Sequence, residues 1–258
     1  MIGAIIGDIA GSRFEFDNHR STDFDLFGRG CSYTDDTVMT VAVADAIMHG
    51  TSFKEKMLEY GRLFPAPMGG YGGRFGQWLH SRDPQPYNSF GNGSAMRVSP
   101  CALLCGGDRE KALSMAACSA MPTHNHPEGV KGALAVTDAI VMAYLGASKE
   151  DIRMRIEGLY GYDLWFTCDT IREVNTFNET CQITVPQAIV AFLDSTGFED
   201  AIRLAVSIGG DSDTIAAMCG PVAEAFYGVP ADLREMAMGM LPASLVEVVN
   251  EMYEISKK

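Results

Sequence analysis

The chain has 258 residues, 47% hydrophobic and 21% charged, the balance of a polypeptide that buries a real core, and disorder as its main state is excluded. Its 33 acidic residues against 20 basic ones leave a formal charge of −13 at pH 7. That charge argues against a nucleic-acid backbone as the main partner, because an acidic surface releases no counterions from phosphates.

Taken from the N-terminus, residues 1–11 are apolar, but no Lys or Arg precedes them and Asp8 interrupts them, unlike a signal peptide. No run approaches the roughly 18–20 apolar residues of a membrane span, so no membrane is expected as a partner. Residues 36–49 carry an apolar stripe at Met39, Ala42, Val43, Ala46 and Ile47, widened by Val38, Val41, Ala44 and Met48, and stop at Gly50. This predicts a helix buried on most sides. Ser52 is placed to cap a second helix over 53–63, which the Pro65-Ala66-Pro67 stretch ends. Beyond a Gly-rich segment (69–76), helical patterns cover 95–105 with Pro100 as a kink, then 109–120, 129–145 and 149–159. Further helices are predicted at 185–193, 199–208, 214–227, 231–240 and 245–255. Strand-like alternation is confined to 182–185.

The helices are evenly spaced, and no Pro-rich, Ser-rich or charged linker and no fixed-period repeat divides the chain. The expectation is one all-α domain over residues 1–258 with ten or more helices. The seven cysteines are odd in number and lack CxxC spacing, so they read as small buried hydrophobes in a reducing, cytoplasmic compartment. Glycines gather at 69–76, 91–93 and 209–210, between helices, where a chain turns tightly or lets a ligand approach.

Two acid-rich helix starts stand out: Thr34-Asp35-Asp36 and Asp211-Ser212-Asp213-Thr214. Each alone reads as an N-cap with acids complementing the helix dipole. Should they meet in space, four carboxylates would lie together, and such crowding is strongly unfavourable without a cation. Two divalent ions balance them, and the Thr34 and Thr214 hydroxyls complete an all-oxygen shell suited to Mg²⁺, Mn²⁺ or Ca²⁺. An EF-hand does not explain the second cluster, since counting from Asp211 puts Val222 at the twelfth position.

Three further segments carry possible chemistry. Glu15 lies between Phe14 and Phe16 after a Gly-Ser step, and a carboxylate in apolar company finds a partner or gains basicity; otherwise it is an exposed helix-end glutamate. Ser89-Phe90-Gly91-Asn92-Gly93-Ser94 reads as a backbone-lined anion site with Ser94 capping the next helix and Phe90 available to stack, or as an Asn-Gly turn. His124 and His126 stand two apart with no third His or Cys at ligand spacing, so His124 is read as a hydrogen-bond donor to ligand or as a solvated loop residue. GxSxG, HExxH and CxxC are absent, which removes the usual support for α/β-hydrolase, zincin and thioredoxin readings.

Five motifs occur in order: Gly7-Asp8-Ile9-Ala10-Gly11-Ser12 with Glu15, Tyr33-Thr34-Asp35-Asp36-Thr37, Gly91-Asn92-Gly93-Ser94-Ala95-Met96-Arg97, Thr123-His124, and Gly209-Gly210-Asp211-Ser212-Asp213-Thr214. From residue 3 to about residue 228 the chain resembles the ADP-ribosylglycohydrolases, the family of dinitrogenase-reductase-activating glycohydrolase and the mammalian ADP-ribosyl-acceptor hydrolases. The resemblance implies an all-α orthogonal bundle with two Mg²⁺ or Mn²⁺ ions in a cleft, held by Thr34, Asp35, Asp36, Asp211, Asp213 and Thr214. It places an ADP-ribose diphosphate near residues 70–73, Gly72 and Gly73 among them, and near Ser89, Gly91, Asn92 and Gly93, with Phe90 on the adenine side and His124 holding the ligand. Glu15 falls on the acidic residue that activates water in the serine-acting branch, and Asp36 is the proposed proton donor to the leaving atom.

The implied activity is hydrolysis of the bond between ADP-ribose and a serine or arginine side chain. Hydrolysis of small conjugates, O-acyl-ADP-ribose or an ADP-ribosylated nucleoside, is the alternative, and a non-catalytic ADP-ribose-binding or structural member the outsider. The substrate partner is then an ADP-ribosylated protein or small conjugate, acted on by a monomer. The chain is short beside the mammalian branch, so the loops that choose the acceptor differ. The GSxxE pattern ending at Glu15 leans towards the serine-type arrangement.

Overall fold

The computed structural model describes residues 1–256 and begins with an element that the sequence patterns left unassigned. Ile2–Gly11 form helix α1, and all ten residues are buried. Gly3, Gly7 and Gly11 recur every fourth position and so lie along one face. A Cβ on Gly7 would stand 2.1 Å from the Ala216 carbonyl oxygen, and one on Gly11 would stand 2.5 Å from Asp213 Cα. The missing side chains let α1 lie backbone to backbone against the helix that carries Asp213.

Asp35–His49 form α2, capped by the Thr34 hydroxyl on the Asp36 amide and ended by Gly50 in the left-handed region. Helix α3 (Phe53–Leu63) takes its cap from Ser52, and α4 (Gly73–Leu79) follows the Gly-rich segment. The single helix predicted over 95–105 is corrected here. Residues 92–94 make a 3-10 turn, and only Ser99–Leu103 are α-helical (α5). Pro100 lies in the first turn of α5, so it marks a start where no N–H is needed, not a kink.

Then come α6 (Arg109–Ala120), α7 (Pro127–Tyr144), α8 (Lys149–Tyr160) and the short α9 (Cys168–Arg172). A reciprocal Ser148–Asp151 capping box opens α8 and left-handed Gly161 closes it. Helix α10 runs Cys181–Asp194, which overturns the strand reading of 182–185. Ile183, Thr184 and Val185 favour extended chain and Pro186 interrupts helix, yet Thr184 Oγ1 bonds back to the Thr180 carbonyl at 2.9 Å and the turn is buried.

The last elements are α11 (Phe198–Ser207), α12 (Ser212–Tyr227), α13 (Ala231–Gly239) and α14 (Ala243–Ser256). Among the described residues there is no strand beyond isolated bridges such as Thr34–Met68 and Gly91–Thr180, so the all-α expectation holds. A contiguous set of buried apolar side chains runs from Met1 to Met252, and α12 packs against α1, α7, α10 and α11. Among the described residues no helix is long and apolar enough to cross a membrane, and all seven cysteines are free.

Helix packing fixes the site. The end of α1, the start of α2 and the start of α12 converge because Asp8, buried within α1, accepts from the first turn of α2. Its Oδ2 takes the Thr34 amide at 3.0 Å, the Thr37 amide at 3.1 Å and the Thr37 hydroxyl.

Candidate functional site

The two acid-rich helix starts meet. Thr214 Oγ1, at the head of α12, donates to Asp36 Oδ2 at 3.1 Å across 178 residues of sequence, and Thr34 Oγ1 lies 3.3 Å from the same oxygen. One oxygen each of Asp8, Asp36 and Asp213 lies within 4.8 Å of the others, and Glu15, Asp211 and Asp213 form a second such trio. Asp213 belongs to both. Asp8 Oδ1, Asp36 Oδ1 and Asp213 Oδ1 are buried without a hydrogen-bond partner.

Burial and mutual repulsion lift these acids out of the usual carboxylate range. Burial raises Asp8 and Asp211 to about 6. Burial, then the charges of Asp211, Glu179 and Asp8, brings Glu15 to about 7. Asp35, Asp36 and Asp213 are pushed well up, chiefly by burial and then by neighbouring carboxylates. Orphaned carboxylate oxygens with no compensating Arg or Lys are the surroundings of a cation, and an all-oxygen donor set fits a hard divalent ion. The residues present therefore fit the implied metal pair. Asp35 lines the cleft but joins neither trio, whereas Asp8, absent from the sequence reading of the site, joins one.

Gly209 and Gly210 take φ values of +69° and +79°, which side chains disfavour, so the loop before Asp211 turns sharply. Asn18 clasps this loop to the Glu15 segment: its Nδ2 donates to the Glu15 and Gly210 carbonyls at 3.2 and 2.9 Å, and its Oδ1 accepts the Gly210 amide at 2.9 Å. Asn175 Nδ2 holds the Ile208 and Gly209 carbonyls from the other side.

The acids form one wall of a cleft of about 400 Å³, within the range of small-molecule sites. The 91–93 segment lies between that wall and its opposite. Asn92 Nδ2 donates to Asp211 Oδ2 at 2.7 Å, while the Nε2 of His124 lies 3.1 Å from where a Cβ on Gly93 would sit. Ser89 Oγ accepts the Gly91 amide at 3.1 Å. Gly72 and Gly73 line the opening at the start of α4, with open space where their side chains would be. His124 is buried beside Tyr87, whose ring lies under the Arg74 guanidinium at 4.9 Å.

The Phe90 ring, 42% exposed, packs edge-on against His126, 5.3 Å between centroids, outside the residues that line the cleft. One expectation fails here. Ser94 caps no helix; its hydroxyl donates to the Gly129 carbonyl at 2.7 Å. Thr34 is buried behind the acids and does not reach the cleft surface. The sequence reading also missed Phe16, Phe177 and Glu179 at the cleft, and the basic and aromatic side chains of Arg74 and Tyr87. Arg74 follows the Gly72-Gly73 step directly, a usable signal; Phe177 and Glu179 sit in a segment with no pattern of its own.

The fold is all-helical, and its cleft carries acid trios that could hold a metal ion on one wall, with glycine backbone and His124 between and opposite. The chain belongs to the ADP-ribosylglycohydrolase family, whose model matches residues 1–256. It is 25% identical to ADP-ribosylhydrolase ARH3 of Danio rerio, over 89% of this chain and 82% of that one. It is also 25% identical to ADP-ribosylarginine hydrolase Tri1 of Pseudomonas putida, over 89% of this chain and 70% of the relative. A solved structure titled ADP-ribosylglycohydrolase-related protein complex shares the fold with a TM-score of 0.73 and 24% identity, covering 99% of this chain and 97% of that one.

Proposed function

We propose that this protein hydrolyses the glycosidic bond between ADP-ribose and a serine or arginine side chain, using a pair of Mg²⁺ or Mn²⁺ ions. The observation that carries this reading is the pair of acid trios sharing Asp213, with three buried carboxylate oxygens unpartnered. Family membership and the ADP-ribose-directed names of the relatives support the substrate class.

Asp8, Asp36, Asp211, Asp213 and Glu15 would hold the cations, with Thr34, Thr214 and Asp35 at their margin. When bound, the ions supply positive charge and Lewis acidity to a water and to the ribose hydroxyls. The chain's own groups do the rest. Glu15, half-buried at the cleft, takes the proton from the attacking water. The ionised acids stabilise the oxocarbenium-like charge at the anomeric carbon. Asp36 is the proposed donor of the proton that the leaving nitrogen or oxygen needs.

On the opposite side, the 91–93 backbone, His124 and Arg74 suit the diphosphate. Arg97, fully buried at the cleft, adds positive potential there. Incubation with arginine-, serine- and nucleoside-linked ADP-ribose, in Mg²⁺, Mn²⁺ or chelator, with the product weighed by mass spectrometry, tests the reading. Released ADP-ribose that disappears in chelator is expected. Release of AMP, or undiminished turnover in chelator, removes it, and cleavage of the nucleoside conjugate alone would shift the assignment to small substrates.

A further inference from the structure

Buried His124 makes a hydrogen bond within the protein through one ring nitrogen only, and the group on the other end of that bond is itself held by a guanidinium. His124 Nδ1 lies 2.7 Å from Thr123 Oγ1, and Thr123 is fully buried. Arg97 Nη2 donates to the same hydroxyl oxygen at 2.9 Å and to the Ser119 carbonyl at 2.9 Å. A guanidinium only donates, so it occupies a lone pair of the hydroxyl and leaves the hydroxyl proton free to point elsewhere. Among the described residues, His124 Nδ1 is the one acceptor that Thr123 Oγ1 bonds. A ring protonated at Nδ1 would strand that buried hydroxyl proton without a partner, which is unfavourable.

We infer that Arg97 and Thr123 are positioning residues that lock His124 in the tautomer with its proton on Nε2, so that the cleft meets a neutral hydrogen-bond donor. The lock rests on geometry within the ligand-free chain; its use in catalysis rests on the function proposed above. Nε2 abuts the Gly91 and Gly93 backbone, 3.6 and 3.1 Å from the Cβ positions those glycines leave empty. A side chain at either position would crowd the N–H that the lock presents. Burial and the charges of Arg97 and Arg74 hold the imidazole well below its usual pKa, which is consistent with a neutral ring. The arrangement is that of a second group fixing a histidine's tautomer, here a hydroxyl pinned by an arginine.

The test is a long-range proton–nitrogen correlation spectrum of the ligand-free protein labelled at the five histidines, with His124→Gln to assign the signal. An unprotonated Nδ1 and a protonated Nε2 are expected at neutral pH. Thr123→Val, nearly the same shape, should release the ring into a mixture of tautomers, and Thr123→Ser should restore the single form. In parallel, ADP-ribose affinity should fall about tenfold in Thr123→Val, the worth of one hydrogen bond, and recover in Thr123→Ser. A wild-type ring protonated at Nδ1, or a Thr123→Val ring still wholly in the Nε2–H form, overturns the inference. The spectrum is read without substrate, so its failure is separate from failure of the proposed hydrolysis.

Discussion

Two buried carboxylate sites in this chain are built in opposite ways. Asp138, on α7, is fully buried and satisfied by protein alone: Arg109 Nε and Nη2 at 2.6 and 2.7 Å, Arg155 Nε at 2.9 Å and the Tyr160 hydroxyl at 2.9 Å. Asp213, on α12, is buried among Asp8, Asp36, Asp211 and Glu15, with one oxygen unpartnered, and among the described residues none of these acids forms a salt bridge, unlike Asp138. The first site joins α6, α7 and α8; the second lines the cleft described above. A chain able to provide two arginines for one aspartate provides none for five acids, so their charge is left to protons or to a cation from outside the polypeptide.

That contrast breaks most sharply at Asp213. Asp213→Asn should reduce hydrolysis to background, since it removes the carboxylate common to both trios, while the helical circular dichroism stays intact. In chelator at pH 8 the variant should melt above the wild type, because one of the mutually repelling charges is gone. Near-normal turnover, or a lower melting temperature in chelator, would contradict the role given to the trios. Glu15→Gln should lower kcat by about 10²–10⁴ without lowering ADP-ribose affinity comparably, as loss of a proton acceptor predicts.

Asp138→Asn should do the reverse. Breaking a buried ion pair costs about 3 kcal/mol in this setting, since Arg109 and Arg155 remain partly hydrated (31% and 29% exposed). Urea unfolding would read that loss directly, and activity per folded molecule should not change. A carboxylate swap that stabilises at one site and destabilises at the other is the signature of the distinction.

The pH dependence of the metal-free protein sharpens it further. Asp8 and Asp211 near 6 and Glu15 near 7 lie above their unfolded values. The unfolded chain then releases protons that the folded one still holds, so stability in chelator falls as pH rises from about 4 through 7. Cation binding competes with those protons, so Mg²⁺ or Mn²⁺ should raise the melting temperature more at pH 8 than at pH 5. With cation at ~100 times its Kd the gain at pH 8 should be about 5 °C. A gain independent of pH would mean that these carboxyls do not take up the ion.

Most of the acidic wall was legible in the sequence because its residues sit at helix starts, where Thr and Asp leave a recognisable pattern before an apolar run. Asp8 escaped because a lone acid in an apolar stretch has no spacing of its own, although Gly3, Gly7 and Gly11 at every fourth position mark a helix in close contact. The 95–105 segment misled because apolar residues on both sides of Pro100 mimic a helical stripe; the backbone turns instead to bury Arg97. Phe90 adjoins Gly91 in sequence, yet its ring packs edge-on against His126, and of the two only Gly91 lines the cleft. Arg74, Tyr87, Phe177 and Glu179 come from loops and a short helix, and tertiary packing alone brings them to the cleft.

The smallest effect belongs to Tyr160→Phe. The Tyr160 hydroxyl is one donor among several on the Asp138 carboxylate, which keeps both arginines after its loss. The phenyl ring retains the packing, no buried donor is stranded, and Asp138 Oδ2 still accepts from Arg109 and Arg155. The cost is therefore that of a single net hydrogen bond, about 1 kcal/mol, read as a small shift in the urea midpoint with unchanged slope. A loss several times larger would mean that the hydroxyl, not the arginines, completes the Asp138 site. The two carboxylate centres would then differ less than their charges imply.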